Sequence, residues 1–287
     1  MGIYELSLAT VVGINIILAV GLNLITGFCG QISLGHAAFY GIGAYTAALM
    51  AKAGLPGPLN LIAAMTTAGA VGALVGMTSL RVREDFLAIT TMGVGFLFLG
   101  IVRQQESLLG GELGISSIPA FGLEKVGFLT MVLALAGLAV LFSLYVKKSW
   151  MGFAFEAVAD DEDTARVLSV NVPAYKLAAF ALGTALAGLA GGLYCYFARF
   201  IVPDDFGFIT SISVLSMVAV GGIGSVFGVI VGTALLTLMP EFFRFISDYK
   251  LFVYGVLLFA VMRFAPDGLA GMTSLLVKRF FRNEGAA

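Results

Sequence analysis

Charged side chains are scarce in this sequence of 287 residues, of which 11% are Asp, Glu, Lys or Arg. Ordinary soluble domains contain about 25% charged residues. Hydrophobic residues make up 60% of the chain, which excludes an ordinary soluble domain and indicates an integral membrane protein. The 16 basic and 17 acidic residues nearly balance, so the sequence gives no reason to expect a nucleic-acid partner.

The sequence also has few of the residues on which catalysis, metal binding or ion coupling depends. It contains one histidine, and its two cysteines have no metal-ligand spacing, so we expect no metal site and no bound cofactor. No GxxxxGK[ST] loop occurs, and we expect the chain not to hydrolyse nucleotide itself. Paired catalytic groups are missing, which disfavours an enzyme, and we predict no catalytic residues. Charges are missing from the interiors of the predicted spans, which disfavours ion coupling.

Long uncharged segments predict an all-α, polytopic membrane protein with about 8–10 membrane segments, because a helix needs about 20 apolar residues to cross a bilayer. The first apolar run lacks a basic n-region and a cleavage site, so we expect a retained helix and not a signal peptide. One transmembrane domain is predicted over residues 1–287. Its candidate spans are residues 6–27, 37–51, 60–80, 86–102, 126–146, 176–198, 206–240 and 251–265.

Basic residues orient these spans, since Lys and Arg accumulate in cytoplasmic loops. The basic clusters are Arg81 and Arg83; Lys147, Lys148, Arg166 and Lys176; and Lys278, Arg279 and Arg282. They predict a cytoplasmic loop at 147–175 and a short basic cytoplasmic tail at 266–287. The segment 206–240 then starts and ends outside, so it must enter the membrane and return, as two short helices or as a re-entrant hairpin.

Two glycine-rich segments interrupt the apolar spans, GQISLGH at Gly30–His36 and GGIG at Gly221–Gly224. Backbone groups freed at bilayer depth cost several kcal/mol each unless protein or a water-filled cavity surrounds them. We therefore predict broken or re-entrant helices near residues 28–40 and 218–230, and a substrate pathway beside them. The candidate pathway residues are Gly30, Gln31, Ser33, Gly35, His36, Gly222, Gly224 and Ser225.

The polar residues of these segments have structural alternatives. The amide of Gln31 and the hydroxyl of Ser33 can bind the charged groups of an amino acid at a half-helix end, or can only tie helices together. His36 can contact substrate or hydrogen bond to a freed carbonyl. Asn15 and Asn23 lie two turns apart on one helix face, and we expect them to bond to neighbouring helices.

The cytoplasmic loop predicts a short helix that begins at the acidic cluster 160–163 and ends before Pro173. Apolar and polar residues are mixed along it. Such a helix suits a groove on a partner protein, and it equally suits the headgroup surface of the bilayer.

Six motifs, in this order and spacing, resemble the permease subunits of high-affinity, Liv-type branched-chain amino acid ABC importers, specifically the M-type permease. They are GLNLITGFCGQISLGHAAFYGIGAY (21–45), LRVREDFLAITTMGVGF (80–96), LLGGELGISSIP (108–119), YKLAAF (175–180), MVAVGGIGSVFGVIVGTALL (217–236) and APDGLAG (265–271). The resemblance covers nearly the whole chain.

The resemblance makes residues 147–175 an ATPase-coupling loop. In that family the loop carries a Glu, two small residues and a Gly four further on. Here these places hold Glu162, Thr164, Ala165 and Ser169, so Thr164 replaces the usual Ala and Ser169 the usual Gly. The implied coupling residues are Glu162, Thr164, Ala165, Leu168, Ser169, Asn171 and Pro173.

The resemblance implies a multi-pass subunit of a bacterial-type inner membrane, with a cytoplasmic C-terminus, that imports branched-chain or other apolar amino acids. The implied partners are a second, non-identical permease, two cytoplasmic ATPases that use the ATP, an extracytoplasmic binding protein and the lipid bilayer. Two alternatives stay open: an importer of the same type for urea or short amides, and a passive channel for a small polar solute.

Overall fold

The computed structural model describes residues 2–79 and 84–242, together with positions 252, 255, 256, 259, 263, 268, 269 and 271. The helices are α1 (Ile3–Leu22), α2 (His36–Lys52), α3 (Gly57–Ser79), α4 (Glu84–Gln104), α5 (Glu106–Leu109), α6 (Lys125–Lys148), α7 (Trp150–Asp160), α8 (Glu162–Val167), α9 (Val172–Ala198), α10 (Phe208–Gly221) and α11 (Val226–Phe242). A π-helical segment, Asn23–Phe28, continues α1. The predicted all-α class is confirmed.

Six helical segments in the described part are long and apolar enough to cross a membrane. They are Ile3–Phe28, Gly57–Thr78, Phe86–Gln104, Lys125–Lys148, Val172–Ala198 and Pro203–Gly221. The predicted span 37–51 is the 17-residue helix α2, and Val226–Pro240 is a shorter apolar helix. Most of the predicted span 251–265, the basic pair Arg81 and Arg83, and nearly all of the tail 266–287 lie outside the described residues.

Helix α9 lies at the centre of the molecule and packs against α1, α2 and α3. Small residues set these contacts: Gly183 lies on the backbone of Gly21 in α1, and Gly188 lies on Gly43 in α2. Lipid tails are as apolar as leucine, so helices in a bilayer associate through close packing and polar bonds instead of water exclusion. Helix α4 lies at the edge of the molecule. Of the residues in its most apolar stretch, 22% are buried, compared with 67% in α9.

The segment 206–240 forms two helices, α10 and α11, joined by residues 222–225. This is the two-helix alternative. Gly221 of α10 packs on the backbone of Gly228, and Gly232 packs on Gly221 in turn. The amide of Asn15 donates to the hydroxyl of Thr237 at 3.1 Å and ties α1 to α11, so the expected interhelical bond of Asn15 is confirmed.

The end of α8 explains one departure from the family pattern. Ser169 follows the helix with a φ of 65°, in the left-handed region, while its N–H donates to the Arg166 carbonyl and the Val170 N–H donates to the Ala165 carbonyl. Helices commonly end on such a residue, and glycine is favoured there because it has no Cβ. Ser169 therefore ends α8 in a conformation that glycine would adopt at a lower conformational cost.

We predict that Ser169→Gly stabilises the protein, because it removes the left-handed strain of a residue with a Cβ. The strain of about 1 kcal/mol, less the added freedom of glycine in the unfolded chain, leaves a net gain of roughly 0.5 kcal/mol. Thermal unfolding of the detergent-solubilised protein measures it. Ser149→Gly is the control, since Ser149 has a φ of −88° and should gain nothing. Equal shifts for the two variants would contradict the prediction.

Candidate functional site

Helix α1 breaks at the position that the glycine-rich segment predicts. Its hydrogen bonding changes to a π-helix at Asn23, and regular structure stops altogether over residues 29–35, which we call the first break. Within it, the Gln31 N–H donates to the Ile25 carbonyl at 3.1 Å, and the Gln31 carbonyl accepts from the Thr26 hydroxyl at 3.0 Å. Residues close in sequence therefore supply part of the hydrogen bonds that the freed backbone needs.

Two other helices satisfy the far end of the first break. The hydroxyl of Thr91, in α4, accepts from the Leu34 N–H at 3.0 Å. The hydroxyl of Ser211, in α10, accepts from the Ala37 N–H at 3.0 Å and so caps the N-terminus of α2. Gly35 lies directly on the backbone carbonyl of Thr91, where a Cβ has no room. A helix start inside the protein is therefore held by side chains from α4 and α10.

The turn between α10 and α11, residues 222–225, is the second break. Gly222 and Gly224 have φ values of 115° and 80°, which favour glycine. The Gly224 N–H donates to the side-chain oxygen of Asn23 at 2.9 Å, and its carbonyl accepts from the ammonium of Lys147 at 2.6 Å. The ammonium also lies 5.6 Å from the centre of the Phe28 ring. The second break therefore meets the π-helical segment that leads into the first break, and Asn23, expected to bond between helices, makes the joining bond.

The predicted polar pathway residues Gln31, Ser33 and His36 are fully buried inside the chain. The Gln31 amide donates to the carbonyl of Lys176 at 3.3 Å and to the sulfur of Cys29 at 3.2 Å. The Ser33 hydroxyl has no hydrogen-bond partner among the described residues, whereas the His36 ring faces the backbone of Leu18. Contact between these side chains and a substrate stays a prediction.

A cavity of about 830 Å³ opens where the π-helical segment and the second break face the end of α6 and the start of α7. Of the predicted pathway residues, Gly224 and Ser225 line it. The side chains that give it its chemistry are Phe28, Lys147, Lys148, Phe153, Glu156 and Ile223. The cavity thus presents cations, a carboxylate and apolar walls to a single space, and neither Lys147 nor Glu156 was a candidate from the sequence.

The loop 147–175 folds into two short helices. Helix α8 is the one that the acidic cluster predicts, and the Asp161 carboxylate caps it by accepting from the Thr164 N–H at 2.6 Å. That bond lowers the pKa of Asp161, so the ionised cap persists at neutral pH and is lost only as pH falls through the lowered pKa. Helix α7 was not predicted from the sequence.

Some of the implied coupling residues face the helical body, and the others are exposed on the surface of the loop. Glu162 forms an ion pair with the buried Lys176 of α9, and Ala165 is buried. Leu168 is 68% exposed, beside Val167 at 84%. Four further residues are exposed: Thr164, Ser169, Asn171 and Pro173. The inward residues fix α8 to the helical body, and the outward apolar residues form a free surface on the loop.

The Asn171 side chain caps α9 by accepting from the Ala174 N–H at 3.3 Å, and Pro173 lies in the first turn of that helix. Proline is favoured there because the first N–H groups of a helix have no internal partner. Both residues thus have a local structural role at the start of α9.

Comparison with known proteins places the chain among transport permeases. The family model described as "Branched-chain amino acid transport system / permease component" matches residues 4–262. The high-affinity branched-chain amino acid transport system permease protein LivM of Salmonella typhimurium is 36% identical over 94% of this chain and 70% of its own length. LivM of Escherichia coli is 36% identical over 93% of this chain and 70% of its own length.

A permease of the other Liv type is also similar. LivH of Salmonella typhimurium, named as a permease protein of the same kind of transport system, is 25% identical over 89% of this chain and 90% of its own length. No solved structure matches the chain. With a family match over most of its length and two relatives above 30% identity, this multi-pass membrane protein belongs to the family of branched-chain amino acid ABC transport permeases.

Proposed function

We propose that this chain lines the translocation pathway of an importer for branched-chain or other apolar amino acids in a bacterial-type inner membrane. The observation that carries the proposal is the family match over residues 4–262. The LivM relatives are named as high-affinity branched-chain amino acid permeases, and they support the choice of substrate.

The proposed complex contains a second, non-identical permease, two cytoplasmic ATPases and an extracytoplasmic binding protein. Similarity to both LivM and LivH supports a paired arrangement of two related permeases. The ATPases bind and hydrolyse ATP, while this chain binds no cofactor itself. Residues 1–287 then form one permease domain, with a cytoplasmic coupling loop at 147–175 and a cytoplasmic tail at 266–287.

The cavity beside the second break has the side chains that the cytoplasmic end of an amino acid pathway needs. A zwitterionic amino acid needs a cation for its carboxylate, an anion for its ammonium and an apolar wall for its side chain. Lys148 and Glu156 supply the charges, and Phe28, Phe153 and Ile223 supply the wall. We assign to the breaks the role of a gate, in which Gly222, Gly224 and Ser225 border the exit. The gate is supported by the residues in and next to the first break, which are Gly30, Gln31, Ser33, Gly35 and His36.

Reconstitution of the chain with its three kinds of partner should give ATP-dependent leucine uptake into proteoliposomes. Uptake is measured with radiolabelled leucine, and replacing ATP by ADP should abolish it. Flux of a small polar solute without ATP would indicate the channel alternative. ATP-dependent uptake of urea or a short amide in place of leucine would indicate the other importer. Either result would contradict the proposed substrate.

Glu156→Gln should lower leucine uptake by about fivefold, because a charge-assisted contact with the substrate ammonium contributes on the order of 1–2 kcal/mol more than a neutral one. Uptake per reconstituted complex is the measurement, with co-purification of the ATPases checked in parallel. Glu112→Gln, a change in the short 3-10 turn between α5 and α6, is the matched control. Normal uptake in the Glu156 variant with the complex intact would remove the cavity from the pathway.

The double substitution Val167→Ser with Leu168→Ser should release the ATPases. Burying an exposed Val or Leu side chain in a partner groove stabilises a complex by roughly 1.5–3 kcal/mol, so losing both weakens association at least a hundredfold. Co-purification in detergent measures this. Leu113→Ser is the control, since Leu113 is 84% exposed in the 3-10 turn. Undiminished co-purification would favour the alternative in which α8 rests on lipid headgroups.

A further inference from the structure

A buried lysine fixes the loop 147–175 to the helical body. Lys176 lies one turn into α9, its side chain is 5% exposed, and its ammonium pairs with the carboxylate of Glu162 at the start of α8. Removing one partner of a buried ion pair leaves an uncompensated charge, which is strongly unfavourable. The first turn of α8 therefore cannot move away from α9 without separating these charges.

The same lysine holds the first break through its backbone. Its carbonyl accepts from the Gln31 side-chain amide at 3.3 Å, and the Gln31 carbonyl accepts from Thr26 at 3.0 Å in the π-helical segment. That segment begins with Asn23, whose side chain holds the Gly224 N–H of the second break at 2.9 Å. Lys176 thus contacts α8 with its side chain and the first break with its carbonyl. The π-helical segment then connects the first break to Gly224 in the second break.

Helix α7 makes a second contact with the first break. Gly30 lies against Ala159 in the last turn of α7, where an added Cβ would be 3.1 Å from the Ala159 Cα and Cβ atoms. The backbone of Gly30 has a φ of 71°, so this close approach rests on glycine. Both helices of the loop thus reach the first break, α7 by direct packing and α8 through Lys176.

We propose that Lys176 is a positioning residue that transmits movement of the coupling loop to the first break and so to the gate at Gly224. This inference rests on the proposed function, in which ATPases move that loop. The exposed pairs of Arg166 with Glu162 and Asp163 cannot do the same, because the Arg166 side chain is 54% exposed and such pairs are screened by water and salt. The pair of Lys176 with Glu162 is screened less, because these side chains are 5% and 21% exposed.

The test is the number of leucine molecules transported per ATP hydrolysed. Lys176→Met should leave the complex assembled and ATP hydrolysis present, and should lower this ratio at least fivefold. Glu162→Gln, which keeps the lysine and a hydrogen-bonding partner, is a milder second variant that should lower it in the same direction. Arg166→Gln removes the exposed pairs with Glu162 and Asp163 and is the matched control, with an unchanged ratio.

Charge reversal sharpens the test. In the Arg166→Gln background, Glu162→Lys combined with Lys176→Glu should recover most of the ratio that either single reversal loses, since the buried pair forms again with its signs exchanged. An unchanged ratio in both Lys176→Met and Glu162→Gln overturns the proposal. So does a parallel fall of uptake and ATP hydrolysis, which is the result expected of a purely structural pair.

A distance measurement separates this inference from the proposed function. Spin labels on Asp163→Cys in α8 and Phe227→Cys directly after the second break, both exposed positions outside the docking surface and the cavity, report the separation of the loop and the second break. ATP with vanadate should change that distance in the parent complex and not in Lys176→Met. A parent complex that moves no amino acid refutes the proposed function alone, while an equal distance change in both complexes refutes the role of Lys176.

Discussion

Every backbone group freed inside a membrane must find a partner in the protein, and this requirement organises the molecule around its two breaks. The helices that surround them supply single polar atoms at defined points. Thr91 of α4 and Ser211 of α10 hold the exit from the first break, and Asn23 and Lys147 hold Gly224 in the second. Helices α1, α4, α6 and α10 therefore have fixed positions around one small region, and the cavity lies where that region opens.

The two breaks themselves contain no charged side chain. The residues of the two breaks carry hydroxyl, amide and glycine backbone groups, while the cations Lys147 and Lys176 lie at the ends of α6 and α9 nearest the loop. Uncharged breaks give no site within them at which an ion gradient could act. In the proposed importer the energy enters instead through the loop 147–175, which has exposed apolar residues and an ion pair to α9.

Local sequence predicted the parts of this arrangement that depend on local signals. Uncharged runs predicted the spans, the glycine clusters predicted both breaks, and the acidic cluster before α8 predicted that helix. Contacts between distant segments have no such signal: Gly224 meets Asn23 across 201 positions, and Gln31 meets Lys176 across 145. Glu162 was predicted for docking by resemblance, yet its carboxylate faces inward to Lys176, which only the packing of α8 on α9 reveals.

The contact between the π-helical segment and the second break is weak enough for the proposed gate. One neutral hydrogen bond from Gly224 to Asn23 contributes about 1 kcal/mol net, and the bond from Lys147 adds little to it because that lysine is exposed to solvent. The total is on the order of 1–2 kcal/mol, which is the size of conformational equilibria that ligand binding shifts. Opening therefore requires only that a partner favour the open state by a similar amount. A gate held by several buried ion pairs would need far more. Among the described residues, the pair of Glu162 with Lys176 lies outside the second break, so in the proposed coupling it transmits movement without holding the gate closed.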